Sequence, residues 1–501
     1  MTKRRKIFLI ILLVAIALIT TLCVKMYLFF TAKPNIAVNY VAEWDRISKP
    51  ENYDPNQNAF FDYQKAAAYF VDIPEIMKPE KTPDWPEWPG DMNGAQLETL
   101  KNWLNDNAQS LEYIKEGSKK PYFWNQTDEK NDLSWFKIMY CIQALCWHAK
   151  LAAFENQNQQ IIDNLTTCYR VSRQLTEGKR GVREQIFGIA FQSNVNVAGL
   201  VILANHNIEK EFLKKFQNEL EKEIYGRKSL LDFSCMKILM YDTIQDYFSD
   251  DGKGNGHLII SEFKGYYSSK NEDFSEVLYN LFSGNNDEEK DPGILWLALF
   301  GPDRKQNIQM ADELIQYYQD LQETTPWQLH KDNIEPDKYI YEEMFKNYIV
   351  LKIRDFARTN NITAFLQSKA AQSALVTITA ILRFKAENSK YPENLDELID
   401  NNYLKELPQD PYNDGALTYK KVRDDFILYS LGPNFIDEDG KIIRDENGKI
   451  RWWNEAGDTV FWPRPKETKE EIEKREELKR QKEQKLLKLI ELRKKKIKSD
   501  S

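Results

Sequence analysis

The chain has 501 residues, enough for two or three domains of ordinary size. Apolar residues make up 42% of it and charged residues 29%, which excludes a wholly disordered or collagen-like protein. The formal net charge of −8 argues against a nucleic-acid partner, because nucleic-acid-binding domains carry an excess of positive charge.

The N-terminus has the pattern of a membrane anchor. The first six residues include four lysines and arginines, and residues 7–24 form an almost unbroken apolar run. Such a run spans about 27 Å as a helix, close to the thickness of a hydrocarbon core. Lys25 lies near its end and can snorkel, so we predict a single transmembrane signal anchor at residues 7–30. The basic segment at residues 1–6 is predicted to stay in the cytoplasm, which sends the remainder outside.

Two alternatives to an anchor stay open: a cleaved signal peptide, and a buried helix of a cytoplasmic protein. Signal peptidase requires small residues in an A-x-A-like arrangement, and none closely follows the apolar run. Cys23 is preceded by Leu22, which is bulky where a lipoprotein signal has a small residue. We therefore expect a single-pass protein of a bacterial inner membrane, with the bulk of the chain on the periplasmic side.

Four cysteines follow the predicted anchor: Cys141, Cys146, Cys168 and Cys235. An even number on the oxidising side of a membrane permits two disulfides. Cys141 and Cys146 lie five residues apart in a predicted helix and point to different sides of it, so they are poorly placed to pair with each other. Two disulfides and four buried free thiols both fit the sequence.

Residues 40–360 have the pattern of an irregular helical domain outside the cytoplasm. Apolar residues recur three and four positions apart in six stretches, and several connections are short and polar. The stretches are 96–117, 134–155, 158–177, 181–205, 212–225 and 337–358. Successive helices of this kind form a bundle or an α-solenoid, and the sequence has no fixed repeat period of a named solenoid.

A proline-rich segment, residues 83–90, breaks the helical pattern with the sequence PDWPEWPG. Prolines favour an extended backbone, and Trp85 and Trp88 recur on one side of a three-fold polyproline-type segment. If exposed, the two indoles would stack on a sugar or grip a partner, so they are candidate contact residues. If buried, they would fasten the segment to the helical domain.

Residues 362–465 carry short motifs in an order typical of a small α+β domain. A predicted helix is followed by a tyrosine-proline pair that ends it, since the residue before proline disfavours the helical conformation. The motifs are, in order, a helix at 363–387, Tyr391-Pro392, Leu407-Pro408-Gln409-Asp410-Pro411-Tyr412, a strand at 426–430, Ser430-Leu431-Gly432 and an acidic segment at 437–440.

This order resembles the globular domain of the major pseudopilin of type II secretion. The resemblance implies a helix, a small antiparallel sheet, and a calcium ion held by the acidic loop near the serine-leucine-glycine turn. The positions that match or lie nearest the family's ligands are Leu431, through its carbonyl, Asn434, Asp437, Asp439 and Asp458. Calcium takes six to eight oxygens of this kind. Asn434 replaces the family's usual aspartate and residues 441–453 look like an insertion, so plain tight turns without metal are the alternative.

The departures from the family concern assembly. A pseudopilin begins with a prepilin peptidase site and a hydrophobic helix that is continuous with its globular domain. Here no such processing motif precedes the anchor, and residues 31–361 separate it from the matching domain. Packing into a pilus-like filament by the usual spine is therefore not expected.

Residues 466–501 form a charged tail that alternates glutamate with lysine and arginine and lacks glycine and proline. This composition predicts a lone solvated helix or a short coiled coil, with contact to a partner or phospholipid as the alternative.

The sequence identifies no reaction. Its four histidines lie far apart without zinc-type spacing, and no phosphate loop, G-x-S-x-G or H-E-x-x-H motif occurs. The hypothesis we favour is a membrane-anchored extracytoplasmic protein that binds or assembles with a protein partner, in a secretion or cell-envelope machine. The alternative is an extracytoplasmic hydrolase with a carboxylate-based site in the helical domain.

Overall fold

A computed structural model of the chain describes residues 3–78, 85–127, 133–206, 209–224, 231–263, 294–344, 348, 351, 359–442, 453, 457–464, 477 and 480–481. Over these residues the protein is mainly helical, with an apolar helix at the N-terminus and a small antiparallel sheet near the C-terminus, as predicted. The predicted charged tail lies outside the described residues, apart from residues 477, 480 and 481.

The helices and strands of the described residues follow one another along the chain with the sheet last. The helices are α1 (Lys3–Phe30), α2 (Tyr40–Ser48), α3 (Phe60–Tyr69), α4 (Gly94–Asp106), α5 (Ala108–Ser118), α6 (Trp135–Phe154), α7 (Asn158–Thr176), α8 (Val182–Asn205), α9 (Lys210–Ile224), α10 (Ser234–Tyr247), α11 (Ile294–Phe300), α12 (Arg304–Glu323), α13 (Pro326–Lys331), α14 (Pro336–Lys338), α15 (Thr359–Asn388) and α16 (Asp396–Asp400). Short 3-10 turns lie at Pro55–Gln57, Glu75–Met77 and Pro89–Asp91, and a π-helical turn at Tyr339–Met344. The strands are β1 (Gln409–Asp410), β2 (Gly415–Ala416), β3 (Thr418–Val422), β4 (Asp425–Ser430) and β5 (Thr459–Trp462).

The chain divides into two compact units that interleave along the sequence. The first comprises Met1–Lys49, Asp232–Asp320 and Glu335–Thr359, and the second comprises Pro50–Leu231, Leu321–Ile334 and Asn360–Ser501. The predicted helical domain of residues 40–360 is thus divided between the two units. The predicted α+β domain of residues 362–465 shares the second unit with most of the helical residues.

Packing between α8 and α15 explains why the second unit has a shared core. The side-chain amide of Asn196 on α8 donates to the carbonyl of Ser368 on α15 at 2.9 Å and accepts from the Tyr169 hydroxyl at 2.6 Å. Gly199 lies so close to α15 that a Cβ there would be 2.8 Å from a methyl carbon of Leu375. Apolar residues from α3 to α9 and from the C-terminal sheet join one hydrophobic core around this contact.

The predicted helix over residues 96–117 is wrong in one respect, because α4 and α5 are separate helices with Asn107 between them. Asn107 is fully buried and bonds to backbone outside the helix, donating to the carbonyl of Val71 at 3.1 Å and accepting from its N–H at 2.9 Å. An asparagine that bonds backbone in this way competes with the helical ladder, so the chain turns here.

The C-terminal sheet has the order β3-β4-β5, with both pairings antiparallel. Phe426 and Leu428 on β4 enter the shared core of the second unit. A β-bulge lies between Leu428 and Tyr429, and Tyr429 packs instead with Leu431 and Val460 in a small separate cluster. Both faces of β4 are therefore buried near its end, which fixes the turn that follows it.

The first unit contains α1, α2, α10, α11, α14 and most of α12. Helices α2 and α10 meet through the rings of Tyr40 and Tyr241, whose centroids are 5.9 Å apart. The Tyr241 hydroxyl donates to the Asp312 carboxylate on α12 at 2.5 Å. The Gln245 side chain accepts from the N–H of Val38 at 3.3 Å and donates to its carbonyl at 2.8 Å, so the chain that leaves α1 is held on α10.

Candidate functional site

Two of the short C-terminal motifs meet at Asp410, which ends β1. One carboxylate oxygen of Asp410 accepts from the Tyr412 N–H at 3.0 Å and from the Ser430 hydroxyl at 2.9 Å. The same hydroxyl accepts from the N–H of Gly432 at 3.3 Å. The leucine-proline-x-aspartate-proline segment therefore supports the serine-leucine-glycine turn directly.

The Asp410 carboxyl is almost completely buried. It is 1% exposed, and its second oxygen, Oδ2, has no hydrogen-bond partner among the described residues. Burial raises the pKa of Asp410 to about 6, although the hydrogen bonds from Tyr412, Ser430 and Leu431 act in the opposite direction. Burial thus disfavours the charged form of Asp410 far more than is usual for an aspartate.

Asp437 and Asp439 of the acidic loop are already engaged by other side chains. Asp437 accepts from the Tyr429 hydroxyl at 2.6 Å and from the N–H of Asp439 at 2.9 Å. The Lys420 ammonium pairs with Asp439 and lies 3.6 Å from Asp437. The hydrogen bond from Tyr429 and the charge of Lys420 hold the pKa of Asp437 below its usual range.

Asp458 closes the acidic loop from the other end. Its Oδ2 accepts from the N–H groups of Glu438 at 3.2 Å and Gly440 at 2.7 Å. Asp458 is 5% exposed, and its Oδ1 and the Oε2 of Glu438 are buried without a hydrogen-bond partner among the described residues. Burial, with a smaller contribution from the negative charge of Glu438, raises the pKa of Asp458 to about 6.

The remaining predicted ligands contribute to the turn itself. Asn434 donates to Glu438 at 2.7 Å and accepts from the N–H of Ile436 at 3.1 Å. Leu431 is buried, and its side chain packs in the small cluster with Tyr429. The loop therefore gathers Asn434, Asp437, Asp439 and Asp458 around the turn after β4, close to Leu431.

This arrangement does not amount to a preformed metal centre. Among the described residues, no three histidine, cysteine, aspartate or glutamate side chains converge in a way that would hold a metal ion. Glu438, which has one of the two unpartnered oxygens, was not among the predicted ligands, although it stands between Asp437 and Asp439 in the sequence. A run of acidic residues indicates that one of them could be such a residue, but only the fold shows which carboxylate is buried.

The two tryptophans of the proline-rich segment pack on the core of the second unit. Trp88 is 8% exposed and meets the ring of Phe154 edge to face, with centroids 6.3 Å apart. Trp85 is half-buried against the same core. Glu87 between them pairs with Arg464 at 2.6 Å, which ties the segment to the chain after β5. Both indoles thus pack against the core of the second unit and fasten the proline-rich segment to it, which is the second of the two arrangements left open by the sequence.

A cavity of about 260 Å³ in the second unit is one place where a hydrolase site could lie. His148 and Glu155 both line it, but the His148 Nε2 contacts Gln160 at 3.3 Å, and Glu155 pairs with Lys101 at 2.6 Å. Burial, with a smaller effect of a nearby lysine, lowers the pKa of His148. Glu155 is the single carboxylate among the lining residues of this cavity, so the geometry gives little support to a two-carboxylate mechanism.

None of the five cysteines forms a disulfide in the structure. Cys141, Cys146, Cys168 and Cys235 are buried, whereas Cys23 on α1 is exposed. Burial raises the pKa of Cys141 to about 12. The four thiols after the predicted anchor are therefore buried core residues, the second of the two states left open by the sequence.

Comparisons of the chain with protein-family models, with curated proteins and with solved structures find no match. The resemblance of residues 362–462 to the major pseudopilin accordingly stays a prediction made from the sequence. Any function has to be inferred from the residues and contacts described above.

Proposed function

We propose that the protein is anchored once in a bacterial inner membrane by α1 and holds both units on the periplasmic side. There it binds or assembles with a protein partner of a secretion or cell-envelope machine. The observation that carries the proposal is the surface of α1. Residues Leu12–Phe30 have a mean hydropathy of 2.3, and none of that window is buried within the structure.

The length of this apolar surface agrees with a bilayer. Nineteen helical residues rise about 28 Å, which matches a hydrocarbon core of roughly 30 Å. Leu13, Leu18 and Leu22 are 59%, 66% and 60% exposed, and monomeric soluble proteins rarely leave so long an apolar surface in water. The four basic residues at positions 3–6 favour a cytoplasmic N-terminus.

The end of α1 is fixed to the first unit, as expected of an anchor that supports a folded body. His257 donates through Nε2 to the carbonyl of Phe29 at 3.1 Å. The His257 and Phe29 rings stack with centroids 4.1 Å apart. Asn35, five residues beyond the end of α1, donates to Asp250 at 3.4 Å.

The topology can be tested with two reporters fused after residue 39. Alkaline phosphatase is active only outside the cytoplasm, and green fluorescent protein that is exported by the general secretion route does not fluoresce. We expect an active phosphatase fusion and a dark fluorescent fusion. Replacing the four basic residues at positions 3–6 by glutamine is the matched control, and it should reduce phosphatase activity. A silent phosphatase together with a bright fluorescent fusion would refute the proposed orientation.

The proposed partner contact involves the C-terminal sheet and its acidic loop. Ile436 in this loop is 59% exposed, an apolar side chain held outward beside several carboxylates. A photo-crosslinking amino acid at position 436 in living cells is expected to yield a defined protein adduct. Val422, 43% exposed on β3, is the control position. Identical adduct patterns at both positions, or none at either, would contradict a specific contact at the loop.

The acidic loop is further proposed to take up calcium, which the pseudopilin resemblance implies. Support comes from the unpartnered oxygens of Asp458 and Glu438, which would hold the ion. Calcium there would neutralise two buried negative charges and stiffen the turn that follows β4. Lys420 already pairs with Asp439 and lies 3.6 Å from Asp437, so those two carboxylates are less available.

Thermal unfolding with calcium or with a chelator tests this site. A ligand at about one hundred times its dissociation constant stabilises the folded state by roughly 2.7 kcal/mol. We expect calcium to raise the melting midpoint of the wild type and of the control Asp414→Asn, whose side chain is 73% exposed. The Asp458→Asn variant should lose this response. Equal midpoints of the wild type in calcium and in chelator would rule the site out.

A further inference from the structure

The short helix α11, Ile294–Phe300, has an unusual surface within the first unit. Its sequence is ILWLALF, without a charged residue. Leu297 and Ala298 are buried at 4% and 5% exposure, whereas Trp296, Leu299 and Phe300 are 49%, 50% and 70% exposed. Residues three and four apart share one side of a helix, so these three large side chains form a single apolar face, the α11 face.

Hydrogen bonds place the end of α11 near the end of the anchor. The N–H of Arg304, which begins α12, donates to the carbonyl of Gly256 at 2.8 Å. The next residue, His257, donates to the carbonyl of Phe29 and stacks on its ring at the last turn of α1. Three residues lie between Phe300 and Arg304, and the four steps from one to the other reach at most about 14 Å. The α11 face therefore lies close to the C-terminal end of α1, where the apolar stretch of that helix ends.

A buried ion pair joins the start of α12 to the loop that precedes His257. Arg304 is 8% exposed, and its guanidinium pairs with the Asp250 carboxylate at 3.1 Å. Asp250 also accepts from the Gly252 N–H at 2.9 Å, which orders the loop that leads to His257. A buried charge held in this way resists rearrangement, so α11 and the end of α1 keep a fixed relation.

We propose that the α11 face lies in the interfacial layer of the same bilayer that α1 crosses. This inference rests on the proposed membrane anchor and adds a second contact beside it. Tryptophan, phenylalanine and leucine are the residues that enter the boundary between headgroups and acyl chains. A protein partner fits less well, because a stable interface takes roughly twenty to thirty residues on each side and this face has three large ones.

The second contact has a mechanical consequence for the first unit. A single transmembrane helix leaves the attached body free to rotate about the helix axis and to tilt. Lipid contact through Trp296, Leu299 and Phe300 fixes one side of the unit toward the membrane. The opposite side is then presented steadily to the periplasm.

Fluorescence quenching in vesicles tests the contact on the full chain. The native Cys23 on α1 is exposed and the other four cysteines are buried, so a thiol-reactive fluorophore labels Cys23 selectively. In a Cys23→Ser chain, the same fluorophore is placed at Phe300→Cys, at Leu299→Cys, or at the control Glu313→Cys, which is exposed on α12. Each labelled chain is reconstituted into vesicles of phosphatidylethanolamine and phosphatidylglycerol, with or without bromine atoms on the acyl chains.

We expect brominated lipid to lower the fluorescence at Cys23, at position 300 and at position 299 by about twofold, and to leave position 313 unchanged. If the label at Cys23 is quenched while positions 299 and 300 behave like position 313, the second contact is refuted and the anchor stands. If Cys23 is not quenched either, the anchor fails and the inference fails with it.

Discussion

The buried carboxyl of Asp410 provides a sharp test of how the C-terminal motifs are joined. Asp410→Asn keeps the size of the side chain and an oxygen that can accept from the Tyr412 N–H and the Ser430 hydroxyl. It removes the ionisable group. The variant should therefore change how stability depends on pH while it preserves most of the local structure.

The magnitude follows from the pKa of Asp410 in the folded chain. A rise from the ordinary value of 3.8 to about 6 corresponds to about 3 kcal/mol, since each pKa unit is worth roughly 1.4 kcal/mol. The folded state binds this proton more tightly than the unfolded state, so the contribution to stability is complete below pH 3.8 and is lost as the pH rises through 6. The wild type should lose about 3 kcal/mol relative to Asp410→Asn between pH 3 and pH 7.

Native-state hydrogen exchange is the suitable assay, because it reports the opening free energy of β4 itself and does not require the whole chain to unfold as one unit. Amides of residues 426–430 are followed at several pH values and corrected for the intrinsic exchange rate. Asp458 titrates equally in both chains and cancels in the difference. Asp414→Asn, four residues along in an exposed position, is the control. A pH-independent difference between wild type and Asp410→Asn would refute the argument.

Three further predictions concern the two units. Gly432 has φ +71°, and a Cβ there would meet a backbone carbonyl at 2.9 Å. Gly432→Ala should therefore lower the free energy of unfolding, measured by thermal melting, by about 1–3 kcal/mol. The control Gly94→Ala, which has open space around the added methyl group, should not. Asn58 is fully buried, and its side chain accepts from the N–H of Trp124 at 2.9 Å and donates to the carbonyl of Trp124 at 2.7 Å. Asn58→Ala should therefore lower the free energy of unfolding by about 2–4 kcal/mol. An unchanged melting midpoint would contradict this. Mass spectrometry after maleimide treatment should find Cys141, Cys146, Cys168 and Cys235 unmodified in the folded chain, and modification of any of them would contradict their burial.

Apolar spacing predicted the helices well where packing follows the local pattern. The stretches 134–155, 158–177 and 181–205 correspond to α6, α7 and α8 within two residues at each end. Their apolar residues recur at the helical period and enter one core, so sequence and burial carry the same information. The predicted strand at 426–430 is β4 with one residue added.

Contacts between distant residues could not be predicted in this way. Lys420 reaches Asp439 because β3 and β4 pair in a register that sets Lys420 opposite Ile427, and that register is not a local property of the sequence. The meeting of Asp410 with Ser430 has the same origin, since twenty residues and two strand pairings separate them. The candidate ligands were named from their order in the chain, whereas their partners were fixed by the fold.

The interpretation of α1 depends on burial and not on hydropathy. Helix α8 also meets the length and hydropathy of a membrane span, but 61% of its window is buried in the second unit, as in the core helix of a soluble protein. Leu12, Leu13, Val14 and Leu18 of α1 are all between 46% and 66% exposed, and at 100° per residue they point to every side of the helix. A protein partner docked on one side would leave the others in water. An apolar medium that surrounds the helix would satisfy all of them, and this is the environment that the proposed bilayer anchor supplies.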